Sequence, residues 1–417
     1  MTINSLPTQG TTSSQPRHVS HASAMPPAAR IMKKLLAHLQ HGTLHITWPD
    51  GKQEQYGNSE AAGNVPVSLT LHDWQLCTAA LRSGDIGFAE SYIAGSWQTG
   101  NLAGLIELLA RNREAIEQMV YGSWWGSLLY RVKHWLNRNS KRGSRKNIHA
   151  HYDIGNAFYK LWLDKTMTYS SALHLDACQG DLAAAQVAKY RRILQQLQIQ
   201  PGSRILEIGC GWGGFAELAA RDRLAHVTGL TLSTEQLAFA QQRMQDAKLA
   251  SFADLKICDY RDCDGQYDAI ASIEMFEAVG EAYWDSYFAC LARNLKPGGR
   301  ACIQSIVIAN ELFERYRSGT DFIQQYIFPG GMLPSPAVFK QYASKHGFTV
   351  VDEFAFGMDY AKTLEIWLRD FHAQLAQVQK QGFDERFIRT WEFYLAYCIA
   401  AFRANNTDVM HFTLQKA

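Results

Sequence analysis

The densest chemistry-bearing stretch of the chain is Leu206-Glu207-Ile208-Gly209-Cys210-Gly211-Trp212-Gly213-Gly214. Glycines 209, 211 and 213 follow an apolar run and precede a helix-forming one. Glycine permits a sharp turn and a close backbone approach to a ligand. The G-x-G-x-G spacing is tighter than that of dinucleotide turns, and Glu207 sits just ahead of the first glycine. A carboxylate there repels a pyrophosphate but accepts hydrogen bonds from the ammonium end of an amino acid. The turn predicts a sulfonium cofactor with such an end, S-adenosylmethionine, held by Glu207, Gly209, Cys210, Gly211 and Gly213; the plainer alternative is an ordinary strand-to-helix turn.

A second cluster lies in Ser272-Ile273-Glu274-Met275-Phe276-Glu277-Ala278-Val279-Gly280, where Glu274 and Glu277 stand in apolar surroundings. A buried carboxylate needs a partner or a chemical task. The plainer alternative is a helix-start carboxylate favoured by the macrodipole. Two further stretches, Leu230-Thr231-Leu232-Ser233-Thr234-Glu235-Gln236 and Cys258-Asp259-Tyr260-Arg261-Asp262, suit a cofactor pocket or an ordinary loop. In the second, an Asp beside an aromatic can hold an adenine by hydrogen bond and stacking.

Alternating elements position these groups. From Pro201 onward the reading gives strands over 204–208, 226–230, 255–258, 267–273 and 300–306. Helices fall over 213–221, 233–249 (Ser233 as N-cap) and 281–295, the last closed by Leu295-Lys296-Pro297-Gly298-Gly299. Strands spaced by helices imply a parallel sheet with helices on both faces. Ligands then lie beyond the carboxyl ends of the strands, where the turn and the glutamates all fall. The segment 308–335 interrupts the rhythm as an insertion, and Val409 to Leu414 reads as a final strand.

Composition bounds the rest. A chain of 417 residues with 47% hydrophobic and 19% charged residues fits a globular protein of two domains. Residues 1–28 read as a flexible tail without a secretory signal. Residues 29–120 read as a small α+β unit, with helices near Met32 to Leu39, Ala79 to Ala94 and Leu102 to Met119 and strands at 42–48 and 65–71. The eight cysteines form no C-x-x-C pair, so no metal site is expected and the thiols are read as reduced, in a cytoplasm. Residues 121–150 carry Arg131, Lys133, Arg138, Lys141, Arg142, Arg145 and Lys146, no acidic residue, and Trp124, Trp125 and Trp135. That pattern suits the surface of an anionic membrane, where each Lys or Arg contributes roughly 1 kcal/mol. A linker whose aromatics pack on a domain is the alternative. No nucleic-acid module is visible, and no apolar run is long enough to span a bilayer.

The motifs together resemble the cyclopropane fatty acid synthase family, which includes the mycolic acid cyclopropane synthases. The similar stretches are His151 to Asn156, Met167-Thr168-Tyr169-Ser170, Leu206 to Phe215, Leu230 to Gln236, Met275 to Gly280, Tyr326 to Gly331, Phe356 to Tyr360 and Cys398 to Arg403. The resemblance covers 151–417 and, more weakly, the N-terminal unit, which in phospholipid-acting members is a lipid-binding domain. It implies an α/β fold with a seven-stranded, mostly parallel, Rossmann-like methyltransferase sheet. It implies transfer of the cofactor's methyl group to the double bond of an unsaturated acyl chain, with ring closure to a cyclopropane.

By the same resemblance, Tyr169, Ser170, Gly209, Gly211, Thr231, Gln236 and Tyr260 contact the cofactor. A bicarbonate ion serves as the base, in a shell of Glu277, Tyr360, the backbone near Ser171 and Ile306, and the side chain at 304. Cys398 matches the family's active-site cysteine, and Phe276, Tyr326 and Tyr360 are candidates to stabilise a carbocation. Two positions depart from the family. Ser171 stands where cysteine is usual, and Gln304 where histidine is usual. Glutamine donates a hydrogen bond but relays no proton, which opens a second outcome, a methyl-branched unsaturated chain.

Two other classes compete. Small-amine N-methyltransferases share this catalytic fold but need neither the N-terminal unit nor the basic stretch. An inactive lipid carrier would lack the glycine turn or Glu277. The expected partner is an unsaturated anionic phospholipid bilayer, met peripherally at the inner membrane surface. A homodimer is a further expectation, since pairing raises avidity for a surface.

Overall fold

The computed structural model describes residues 25–57, 66–113 and 154–417. The tail before residue 25, the basic Trp-rich stretch 121–150 and His151-Tyr152-Asp153 lie outside the described residues. No described helix is long and apolar enough to cross a membrane.

The N-terminal unit holds strands β1 (Thr43–Thr47), β2 (Gln53–Gly57), β3 (Val67–Leu71) and β4 (Trp97–Gln98), in the order β2-β1-β3-β4. β1 and β2 form an antiparallel hairpin, and β1 pairs parallel with β3. The first helix spans Pro27–Leu36, earlier than the periodicity indicated, because proline is suited to the first helical turn. The helix thus takes in Pro27 and Ala28, which the sequence reading assigns to the tail. Helices Gln75–Ile93 and Leu102–Arg111 complete the unit, the first kinked where Gly84 takes φ +57°.

The larger sheet contains β5 (Arg204–Ile208), β6 (His226–Thr231), β7 (Ala253–Ile257), β8 (Tyr267–Ile273), β9 (Leu295–Ile308), β10 (Phe348–Ala355) and β11 (Thr407–Lys416). Its order is β10-β11-β9-β8-β5-β6-β7. β5 to β9 run parallel, and β11 is antiparallel to both neighbours. The expected seven-stranded, mostly parallel α/β sheet is thus present. Two details differ from expectation. β9 starts at Leu295, so Lys296 to Gly299 lie inside a strand with a register shift rather than in a closing turn. The helix over 281–295 is a 3₁₀ turn, Glu281–Tyr283, followed by Trp284–Asn294.

Alternation along β5 sends Leu206 and Ile208 to one core and Ile205 to the other. Each such buried side chain contributes about 1.5–3 kcal/mol. The strand bodies are thereby committed to packing, and chemistry is left to the strand ends.

The N-terminal unit shares a core with the C-terminal helices Gly357–Ala373 and Glu385–Arg403. Phe88 and Tyr92 each pack on both Trp97 and Phe393. The Arg389 guanidinium donates to the carbonyls of Tyr92 and Trp97. Asp85 accepts from the backbone N of Phe322 at 3.1 Å and from the Tyr397 hydroxyl at 3.0 Å.

Candidate active site

The glycine turn sits between β5 and the helix Gly214–Arg223. Gly209 and Cys210 both donate to the Leu230 carbonyl, at 3.0 and 2.8 Å, which ties the turn to the end of β6. Gly209 has φ +85°, and a Cβ there would meet Met275 at 3.0 Å. Gly211 has φ +50°, and a Cβ there would meet nothing within 4 Å. The first glycine is demanded by packing. The second leaves an open place over its backbone that a ligand can fill.

Glu207 is buried, and its Oε2 has no hydrogen-bond partner among the described residues. Burial pushes its carboxyl well above the ordinary range, opposed by the charges of Arg243 and Lys189. An unpaired buried acceptor costs about 1–3 kcal/mol until a donor arrives. The ammonium of S-adenosylmethionine is such a donor, so the residues present fit that group.

Turn and glutamates open into one cavity of about 330 Å³. Its walls include Tyr169, Ser170, Glu207, Gly209, Cys210, Gly211, Thr231, Gln236 and Tyr260 on the cofactor side, and Glu274, Glu277, Tyr360 and Cys398 on the other. Gly213 does not line the cavity; a Cβ there would press on the Ala240 Cβ at 3.0 Å. Thr231 donates to Gln236 Oε1 at 3.1 Å, holding both at the end of β6. Tyr260 reaches the cavity, but both oxygens of Asp259 are engaged by Arg261 rather than presented to an adenine.

Glu274 is the hub of the far side. Its Oε1 accepts from the Ser171 backbone N at 2.8 Å and from Gln304 Nε2 at 2.6 Å. Its Oε2 accepts from the Tyr360 hydroxyl at 2.7 Å. Burial raises its pKa, opposed first by the charge of Lys189. Lys189 itself is wholly buried on the helix Leu182–Leu197, donating to Ser170 Oγ at 2.6 Å and Gln186 Oε1 at 2.7 Å. Burial pulls its ammonium down to about 7.

Glu277 accepts from the Ile306 backbone N through Oε1, while Oε2 has no partner among the described residues. Burial, reinforced by the charge of Glu274, pushes its pKa up to about 8. The two glutamates are thus differentiated. Glu274 is held as an acceptor by three donors, and Glu277 is kept protonated near neutrality.

The residues expected to cradle bicarbonate come together, but not around an open place. The Ser171 N, Gln304 and Tyr360 donors are all engaged by Glu274, and Ile306 N by Glu277. An added anion would meet two carboxyl groups and none of these donors free, so this shell does not fit a bicarbonate ion. Ser171 serves through its backbone alone, because its hydroxyl turns to the Ala172 carbonyl.

Other expectations are redistributed. Phe276 is not a cavity residue; it packs against Trp284, Tyr287 and Phe339 in the core. The Tyr326 hydroxyl donates to Glu90, and the residue does not line the cavity. The aromatic faces that do line it are Tyr169, Tyr360, Tyr394 and Phe402 among others. Burial pushes the Cys398 thiol up, so it is a neutral wall residue and no nucleophile. Among the described residues no cluster suits a metal ion.

Comparison with known proteins gives a concordant result. Residues 139–412 match the family model described as mycolic acid cyclopropane synthetase. The chain is 36% identical to the tuberculostearic acid methyltransferase UfaA1 of Mycobacterium tuberculosis, over 96% of this chain and 93% of that protein. It is 34% identical to the cyclopropane-fatty-acyl-phospholipid synthase of Escherichia coli, over 83% of this chain and 87% of that protein. Among solved structures, the mycolic acid cyclopropane synthase CmaA1 complexed with SAH and CTAB superposes with a TM-score of 0.61 at 33% identity, over 65% of this chain and 98% of that one.

Proposed function

The chain belongs to the mycolic acid cyclopropane synthetase family of S-adenosylmethionine-dependent methyltransferases, and on that premise we propose that it methylates the double bond of an unsaturated acyl chain of a membrane phospholipid and closes a cyclopropane ring. One observation carries the reading. A single cavity joins the glycine turn to a hydrogen-bonded carboxylate and a wall of aromatic faces.

S-adenosylmethionine supplies an electrophilic methyl group on a positively charged sulfur. An alkene is a weak nucleophile, so the residues must hold it close and in line and keep water out. Tyr169, Tyr360, Tyr394 and Phe402 present faces that favour positive charge on the attacked chain. Rings so placed are held firmly: Tyr360 and Phe402 stand 4.7 Å apart, and the Tyr169 and Tyr394 hydroxyls are 2.8 Å apart. Proton removal then completes the product, and the Glu274 carboxyl stands beside Met275, which packs on Gly209.

Residues 29–120 are read as the lipid-binding unit and 121–150 as the membrane-facing stretch that brings the enzyme to an anionic surface. The N-terminal unit supports the cavity from behind, through Asp85 and the wall residue Tyr397. A second reading, a methyl-branched unsaturated product, is favoured by one observation. The relative matched over 96% of the chain is named a methyltransferase rather than a cyclopropane synthase. Incubating the enzyme with methyl-labelled S-adenosylmethionine and vesicles of unsaturated anionic phospholipid tests both. Ring protons in the lipid spectrum support the first, a retained double bond with a new methyl supports the second, and no label in the acyl chains refutes the lipid substrate.

A further inference from the structure

The strand end that carries Glu274 is built for an anion that the chain itself supplies. We propose that the Glu274 carboxylate is the catalytic proton acceptor, occupying the place a free bicarbonate ion would take, so that the enzyme works without one. The proposal rests on the methyl-transfer reading above.

Donor accounting is the first support. Ser171 N, Gln304 Nε2 and Tyr360 OH come from three separate elements and converge on one side chain. Gln304 has no freedom to turn elsewhere, because its Oε1 is held by His411 Nε2 at 2.8 Å. Three donors aimed at one carboxyl favour its ionised form, against the opposite pull of burial.

Backbone conformation is the second. Glu274 has φ +47°, in the left-handed region that disfavours side chains, while its N donates to the Gln304 carbonyl at 2.9 Å. A residue with a Cβ persists there only when the surroundings over-determine it. The three donors are those surroundings. Charge balance is the third. Lys189 is the buried cation whose charge most opposes the raised pKa of Glu274, and Asp164 and Glu207 share it. A further anion would find no unmatched cation here.

The alkene electron pair forms the bond to the methyl carbon as the carbon–sulfur bond breaks, leaving a neutral thioether and a carbocation on the chain. Glu274 takes one proton from the former methyl carbon, and that C–H electron pair closes the ring. The protonated Glu274 returns its proton to water after product leaves.

The test uses the full-length enzyme in carbonate-free buffer, with E274G and E274Q as variants. Glycine suits the left-handed backbone and empties the pocket; glutamine fills it without a base. The wild type should turn over at one rate with or without added bicarbonate, and with S-adenosylhomocysteine bound should show no ¹³C-bicarbonate binding by NMR. E274G should bind bicarbonate, lose about 100-fold or more in kcat and recover on its addition, while E274Q stays inactive. Both should keep wild-type affinity for S-adenosylhomocysteine. Bicarbonate dependence or binding in the wild type, an active E274Q, or an E274G that binds no bicarbonate would overturn the proposal. If no lipid is methylated, the functional reading fails, and the ¹³C-bicarbonate measurement still decides whether Glu274 fills the place of a bound bicarbonate.

Discussion

Gln304 donates its side-chain amide to Glu274 at 2.6 Å and turns its carbonyl to His411 at 2.8 Å. This pairing orients the whole row. His411 must carry its proton on Nε2 and accept on Nδ1, where Arg192 Nη1 stands at 3.2 Å. Burial and the charges of Arg192 and Lys189 hold His411 well below its usual pKa. The ¹⁵N spectrum of His411 should therefore show a neutral Nε2–H ring that does not titrate from about pH 5 to 8.

Replacing Gln304 by Leu removes one donor from Glu274 and strands the His411 N–H. Each orphaned buried group costs about 1–3 kcal/mol. The variant should melt several degrees lower and lose kcat more than cofactor affinity, as read by thermal denaturation and calorimetric titration with S-adenosylhomocysteine.

Glu277 gives stability a pH dependence of defined sign. Its folded pKa, about 8, lies above its unfolded value near 4.5. The folded state holds the proton more tightly, so its contribution is full below about pH 4.5 and is lost as pH rises through 8. Lys189, lowered to about 7, works the other way and favours the folded state as pH climbs beyond 7. E277Q should remove the first component alone, leaving a melting temperature that falls less between pH 5 and pH 7 than in the wild type.

Gly211→Ala should leave the fold intact, because a Cβ there meets no protein atom. It strains the left-handed backbone by roughly 1–2 kcal/mol and puts a methyl group into the ligand's place. Affinity for S-adenosylhomocysteine should drop at least tenfold, with melting behaviour near that of the parent; unchanged affinity would move the cofactor away from this turn.

Replacing Arg138, Lys141, Arg142, Arg145 and Lys146 together with Gln should weaken binding to anionic vesicles, most at low salt where charges are least screened. Binding that is unchanged and insensitive to salt would remove the membrane role assigned to 121–150.

The parallel strands and the glycine turn were legible because their apolar runs and turn residues follow the geometry of the elements they form. β2 was not, since Gln53-Glu54-Gln55-Tyr56-Gly57 is polar on both faces at a sheet edge. β10 alternates, but Asp352 interrupts the apolar face and reads as a loop residue until Arg192 is seen 2.7 Å away. At the site, Glu274 was suspect as a carboxylate among apolar neighbours. Its partners come from distant elements, so only the folded chain shows that it fills the shell expected for bicarbonate. Lys189 carried no signal, because a lysine in an amphipathic helix is ordinarily solvated, and Phe276 was a candidate only as an aromatic within the stretch Met275 to Gly280 that resembles the family.

The most direct measurement supplies S-adenosylmethionine bearing a fully deuterated methyl group, together with unsaturated phospholipid vesicles, and counts deuterium in the product. Proton removal by Glu274 from the former methyl carbon predicts a cyclopropane lipid that keeps two of the three deuterium atoms. A lipid that keeps all three has lost its proton elsewhere on the chain, and would contradict both ring closure and the role assigned to Glu274.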